Sequence, residues 1–270
     1  RATGESGWLL IGLTGMGAMA GYSGYWVVVG ELLGVFVSWQ FMAKRFKKRS
    51  DSYGAITIPD YLHSHFKSTT QTLRVLAASV LVIFIVIYVA SQIDVTGVAF
   101  RSMLGIDYKI GALIGFLIVL AYIFIGGFVA AVWSDLFQGL LMFFGLVLLP
   151  IVVWFSMDHG TGITNGLNAI DPTLTQIMGR SEDGWMNLFT ILGFSMIGLG
   201  FLGSPQVYVR FMSIKNKKEI DKGKWIAVIF TLLTDAAAVT IGILARIYFT
   251  KEGQDPEAIL GNNGEDVLSM

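Results

Sequence analysis

The segment with the clearest chemical potential in this chain carries no charge. GLGFLGSPQ, residues 198–206, sets three glycines, a serine, a proline and a glutamine between two apolar runs, LFTILGFSMI and VYV. Glycine and proline are poor material for a helix interior. A helix broken at membrane depth exposes backbone carbonyls and N–H groups, which is tolerated only where protein or a water-filled cavity satisfies them. The carbonyls are hard oxygen ligands for a small cation. The N-terminus of the helix beyond the break attracts an anionic group. The chemistry on offer is therefore reversible binding of an ion and a solute. Gly198, Gly200 and Gly203 could instead serve only close helix packing. Pro205 among them, and a second weakened apolar segment, ATGESGWLLIGLTG at residues 2–15, favour the binding reading.

Several ionisable residues fall within apolar runs, among them Glu31, Asp94, Asp235 and Arg246. Each charge at the bilayer centre costs at least ~3 kcal/mol, so such residues face a protein interior or a water path. Glu31 lies between Gly30 and Gly34, a small-xxx-small face suited to packing on a neighbouring helix. Asp94 is expected to reach water at the end of its run, and Arg246 to snorkel to the interface. For Glu31 and Asp235 a packing role and a role in ion or solute coupling both stay open. His63, His65 and His159 fall in loops or a surface helix and, with Asp60, lack metal-site spacing. There is no lysine-bearing phosphate loop and no nucleophile–base constellation. The chain is not expected to be an enzyme or to hold an organic cofactor.

The elements that must position these residues are set by composition. Hydrophobic residues make up 54% and charged residues 14% of the chain, and the mean hydropathy is +0.66; a soluble domain carries about 25% charged residues. Formal net charge is zero, which points to no nucleic-acid or acidic partner, and cysteine is absent, which removes disulfide and thiolate chemistry. The chain opens at Arg1, already leading into an apolar run, and closes on the polar GEDVLSM. An internal piece of a longer protein is the expectation.

Apolar runs of bilayer length, about 20 residues, predict seven membrane helices at residues 8–20, 25–43, 73–100, 110–125, 134–155, 185–211 and 225–249. The first and sixth are broken. Ser134 is expected to cap the fifth, with Asp135 in its first turn where the helix dipole favours an acid. A short surface helix opens at Pro59, and residues 157–184 form a polar loop outside the cell. Lysine and arginine concentrate after the second run (Lys44, Arg45, Lys47, Lys48, Arg49) and after the sixth (Lys215, Lys217, Lys218, Lys222, Lys224). Those loops are cytoplasmic by the positive-inside rule and face anionic lipid headgroups.

Five motifs carry a resemblance: ESGWLLIGLTG from Glu5, ITIPDYL from Ile56, IYVAS from Ile87, YIFIGGFVAAVWSDLFQGLLM from Tyr122 and GLGFLGSPQVYVRFM from Gly198. In this order the chain resembles the sodium/solute symporter family, and most its sodium/proline branch. The resemblance implies an all-α membrane protein of LeuT type, with two inverted five-helix repeats whose first helices are broken. Residues 1–156 would form most of the first repeat and residues 185–270 the start of the second. It implies sodium as the coupling ion, held by backbone carbonyls at positions matching Ala2 and Glu5. Ser6 follows that break, on both the sodium and the solute side, and Asp135 stands on the cytoplasmic side of the sodium path. The remaining sodium ligands would lie beyond Met270. Solute contacts of the proline branch match Tyr88, Ile197, Phe201 and Pro205.

Ile197 and Phe201 depart from that branch, where a tryptophan and a tyrosine stand, and Gly4 replaces an early acid. A Trp-to-Ile change removes a flat wall and a donor. The implied function is sodium-coupled symport of a small organic solute such as an amino acid, proline-like, in a bacterial-type plasma membrane. The alternatives are a symporter-like sensor module of a signalling protein, or symport of a carboxylate, vitamin or sugar.

Overall fold

Every regular element described in this computed structural model, which covers residues 7–156 and 162–268, is helical. In chain order the helices are α1 (Thr14–Ala20), α2 (Tyr25–Val37), α3 (Lys44–Tyr53), α4 (Ile58–His65), α5 (Thr72–Leu104), α6 (Tyr108–Ser156), α7 (Ile163–Ile170), α8 (Gly184–Ile197), α9 (Pro205–Ser213), α10 (Lys217–Phe249) and α11 (Pro256–Leu260). Two π-helical turns, Trp8–Leu13 and Ser38–Ala43, precede α1 and α3.

Among the described residues, five helical stretches are long and apolar enough to cross a membrane: Trp8–Tyr53, Thr72–Leu104, Tyr108–Ser156, Gly184–Gly203 and Lys217–Phe249. The sequence predicts seven. The first stretch contains the expected runs 8–20 and 25–43, and the third contains 110–125 and 134–155. The 3-10 turn Gly21–Gly24 separates the first pair, and a kink at Gly127 the second. Gly21 (φ 61°, ψ −136°) and Gly127 (φ 54°, ψ −142°) share a backbone conformation that residues with a β-carbon avoid. The helix resumes directly after Gly127, through the helix-compatible FVAAVW. The expected cap at Ser134 is therefore incorrect: Ser134 lies inside α6, and Asp135 is about two turns past the break rather than in a first turn.

The chain divides into two bodies. The first comprises Arg1–Val35, Asp135–Leu202 and Ala227–Met270. Its core joins Leu9, Leu13, Ala18, Val27, Leu146, Ala238, Val239 and Ile243 with Leu167, Leu174 and Leu260 from the segments beyond the spans. α1 and α10 meet backbone to backbone: a side chain at Gly242 would collide with the Thr14 carbonyl. Apolar surface gains little by leaving lipid for a protein interior, so membrane helices associate through such close approaches. The expected polar loop holds α7 and a 3-10 turn, Pro172–Thr175. It is stitched to the start of α2 by Trp26 Nε1, which donates to the Ile177 carbonyl at 2.8 Å.

The second body comprises Phe36–Ser134 and Gly203–Ile226. Here the basic run after α2 is helix α3, continuous with its span through the π-turn. α4 starts at Ile58 with Pro59 in its first turn, as expected, and Thr57 is its N-cap, accepting from the Asp60 amide at 3.2 Å. Arg74 of α5 pairs with Asp60 at 2.7 Å.

Candidate functional site

The break in the sixth run forms where its composition demands. α8 ends at Ile197, and Gly198–Gly203 winds as a 3-10 helix. Ser204 is extended (φ −71°, ψ 113°) and Pro205 opens α9. Proline suits the first helical turn because its missing N–H has no intrahelical partner there. The apolar run therefore changes winding and is interrupted within a few residues, leaving backbone groups outside the α-helical ladder.

In the first body this break is seated on α2. A side chain at Gly30 would collide with the Ser195 carbonyl, and one at Gly34 with the Gly198 carbonyl. One at Gly198 would meet the Gly30 carbonyl and the Glu31 amide nitrogen. The small-xxx-small face expected from sequence is thus the surface on which the break rests. Ser195 Oγ donates to the Trp26 carbonyl at 3.4 Å beside it. Glu31, between the two glycines, is 8% exposed, and its Oε1 accepts from Trp8 Nε1 at 3.1 Å. α10 contributes a buried polar run: Thr231, Thr234 and Asp235 are each 0% exposed, with Thr234 Oγ1 3.2 Å from Asp235 Oδ1.

The residues implied by resemblance fall as follows. Ala2, Glu5 and Ser6 lie outside the described residues. Ile197, at the end of α8, is exposed, and Phe201, one turn on, is half-buried; both lie in the first body, as does half-buried Asp135. Tyr88, on α5 and exposed, and Pro205 belong to the second body. Ile197 and Phe201 thus stand four residues apart on the segment that rests on the α2 glycines, with Phe201 beside Gly34.

One expectation for an ionisable residue is corrected. Arg246 does not snorkel: it is 6% exposed, with Nε and Nη1 buried and without a hydrogen-bond partner among the described residues. Asp94 is exposed, as expected, and accepts a hydrogen bond from the Tyr108 hydroxyl. Outside the spans, Arg180 pairs with Asp171 at 2.6 Å and donates to the Met19 carbonyl at 2.8 Å. Burial works against the Asp171 carboxylate, but bonds from Thr173 and Arg180 outweigh it and hold its pKa below the ordinary value.

Sequence reasoning missed Lys47. Its Nζ, on an otherwise basic helix, is buried between Asp51 (2.7 Å) and the carbonyl of Met212 (2.8 Å) at the end of α9. The i, i+4 spacing to Asp51 was the available signal. Among the described residues no group of three or more His, Cys, Asp or Glu could hold a metal ion. An ion bound by backbone carbonyls would not require one.

The family model for the sodium:solute symporter family matches residues 1–266. The chain is 37% identical over 265 residues to the high-affinity proline transporter PutP of Bacillus subtilis (strain 168), covering 95% of this chain and 55% of that protein. It is 31% identical over 258 residues to the osmoregulated proline transporter OpuE of the same organism, covering 94% of this chain and 51% of that one. It is 32% identical over 249 residues to the sodium/proline symporter of Escherichia coli (strain K12), covering 92% and 49%. The chain spans about half the length of these relatives.

Proposed function

The chain belongs to the sodium:solute symporter family, and from that premise we propose that it forms the sodium- and solute-binding part of a sodium-coupled symporter for a small amino acid of the proline class. The observation that carries this reading is the break at Gly198–Gly203, interrupted within an apolar run and seated on Gly30 and Gly34. The names of the relatives supply the solute class. The architecture we propose is LeuT-type. Residues 1–156 form most of one inverted repeat, residues 185–270 open the other, and residues 157–184 lie between them outside a bacterial plasma membrane.

Sodium is cargo here, held by the Ala2 and Glu5 carbonyls with Ser6, and Asp135 lies along its cytoplasmic exit. The freed backbone of the second break holds the charged groups of the solute. Ile197 and Phe201 give its ring or aliphatic part an apolar wall, and Tyr88 and Pro205 complete the site. Sodium binding favours the outward-open state and raises solute affinity. The loaded protein then opens inward and releases both. Sodium drives the cycle because it binds better to the solute-competent state, and by linkage the solute strengthens sodium binding equally.

The test is uptake by the full-length protein in proteoliposomes under an imposed sodium gradient, with labelled proline and a panel of other labelled amino acids. Sodium-dependent, saturable uptake of proline or a close relative is expected. Absence of sodium-dependent uptake of every solute in the panel would overturn the reading.

A further inference from the structure

A carboxylate in an apolar span is costly, and Glu31 is held where that cost has a use. It is buried on α2, between Gly30 and Gly34, on the face that seats the second break. Its amide nitrogen lies directly against Gly198, the first residue of that break. Its carboxylate reaches away from this contact to the indole of Trp8, at 3.1 Å. Trp8 opens the π-helical turn Trp8–Leu13 and stands two positions after Ser6 in sequence. One residue of α2 therefore touches the solute-side break through its backbone and the sodium-side helix through its side chain.

Glycine contacts of this kind transmit displacement, because no side chain lies between the two backbones to absorb it. A shift of Gly198 on solute binding must move α2 at Gly30 and Glu31. A shift of Trp8 on sodium binding must reach the same residue through the hydrogen bond. We propose that Glu31 is a positioning residue that links sodium occupancy to solute affinity, by holding the Trp8 turn to the seat of the second break. This rests on the symporter reading above and assigns the coupling of that site to a residue outside its ligands. The function of the carboxylate is to accept a hydrogen bond, so an amide oxygen can replace it and an alkyl group cannot.

The experiment measures the half-saturating solute concentration at low and at saturating sodium in the full-length protein. Their ratio is the sodium–solute linkage. Glu31→Leu is expected to lower this ratio by about tenfold, within the usual range of coupling between sites. Trp8→Phe, which keeps an aromatic ring and loses the donor, is expected to do the same. In the double variant the loss of linkage should be smaller than the sum of the two single losses, because both variants remove the bond between Trp8 and Glu31. Glu31→Gln should keep the wild-type ratio. A residue with only a packing role would change protein yield or maximal rate and leave the ratio alone.

If Glu31→Leu does not fold, Trp8→Phe and Glu31→Gln carry the test. Unchanged linkage in a transporting Glu31→Leu or Trp8→Phe variant overturns the inference and leaves the transport reading intact. Linkage lost in Glu31→Gln also overturns it, since charge and not bond acceptance would then be required. A wild-type protein without sodium-dependent uptake overturns the transport reading and this inference with it.

Discussion

The two halves of the broken sixth helix are held by opposite means. α8 and the 3-10 turn Gly198–Gly203 meet α2 through bare backbone, at Gly30, Gly34 and Gly198. α9 is held by side chains. Phe211 packs edge-on to Trp39 at 5.1 Å, Tyr208 packs on Phe46 at 4.8 Å, and Lys47 bonds the Met212 carbonyl at 2.8 Å. Lys47 neutralises an orphan carbonyl at a helix C-terminus, where a cation is favoured. A backbone contact tolerates no added atom. A side-chain clamp can loosen by degrees, through rotamer changes and one exchangeable ion–dipole bond. The first kind fixes backbone position; the second leaves a segment freer to move.

The sharpest way to break this comparison is Gly30→Leu. A side chain there runs into the Ser195 carbonyl, with backbone on both sides and no flexible atom to yield. Overpacking of this kind costs about 1–3 kcal/mol or more. Loss of monodisperse folded protein is expected, read by size-exclusion chromatography and thermal unfolding. A fully stable variant would contradict the packing described.

Lys47→Met should have a smaller effect. It removes the ion pair with Asp51 and the charge-assisted bond to the Met212 carbonyl, the latter worth about 1.5–3 kcal/mol, and leaves the aromatic packing in place. The folded protein should persist, with faster thiol labelling of a cysteine placed in α9 than in the parent that keeps Lys47. Lys47→Arg should restore the slow rate. Equal labelling rates in the parent and in the Lys47→Met variant would remove the clamp.

Tyr88→Ala comes next. Tyr88 is 37% exposed, so stability should change little, whereas the half-saturating solute concentration should rise several-fold. An unchanged value removes Tyr88 from the site.

The smallest effect expected is at the Asp171–Arg180 pair, which is partly exposed and worth under about 1 kcal/mol. The Asp171 pKa is depressed in the folded protein. The pair's stabilisation is therefore complete above the unfolded carboxylate value, about 3.9, and is lost as pH falls below it toward the folded value. The unfolding temperatures of wild type and Asp171→Asn should differ at neutral pH and converge in acid. A constant difference would contradict the linkage.

The break at residues 198–206 was legible because glycine and proline act locally, through backbone freedom and a missing donor. The same holds for Gly127, where a helix end was expected and the chain leaves the helical region. The Gly30–Gly34 face was legible from spacing alone. Ser134 was misread because a capping residue type says nothing of where the helix has already restarted. Arg246 was misread because its burial depends on what packs over the C-terminal end of α10. Among five basic residues at positions 44–49, only the approach of the α9 terminus selects Lys47 for burial, and that is a pairing across 165 positions. Trp8 and Glu31 are separated by 23 positions and gave no local signal. Of the implied site, Ile197 and Phe201 share a segment, while Ala2, Glu5 and Ser6 lie outside the described residues.

The most direct measurement places one cysteine at Phe201 in the second break. The chain has no cysteine of its own, so Phe201→Cys gives a single reporter within it. The labelling rate of this variant, made in the full-length protein with any other cysteine removed, is followed with a membrane-permeable maleimide. Sodium and proline together should slow labelling severalfold, and sodium alone should alter it less. A rate indifferent to both ligands would contradict the placement of solute at the break in the sixth helix.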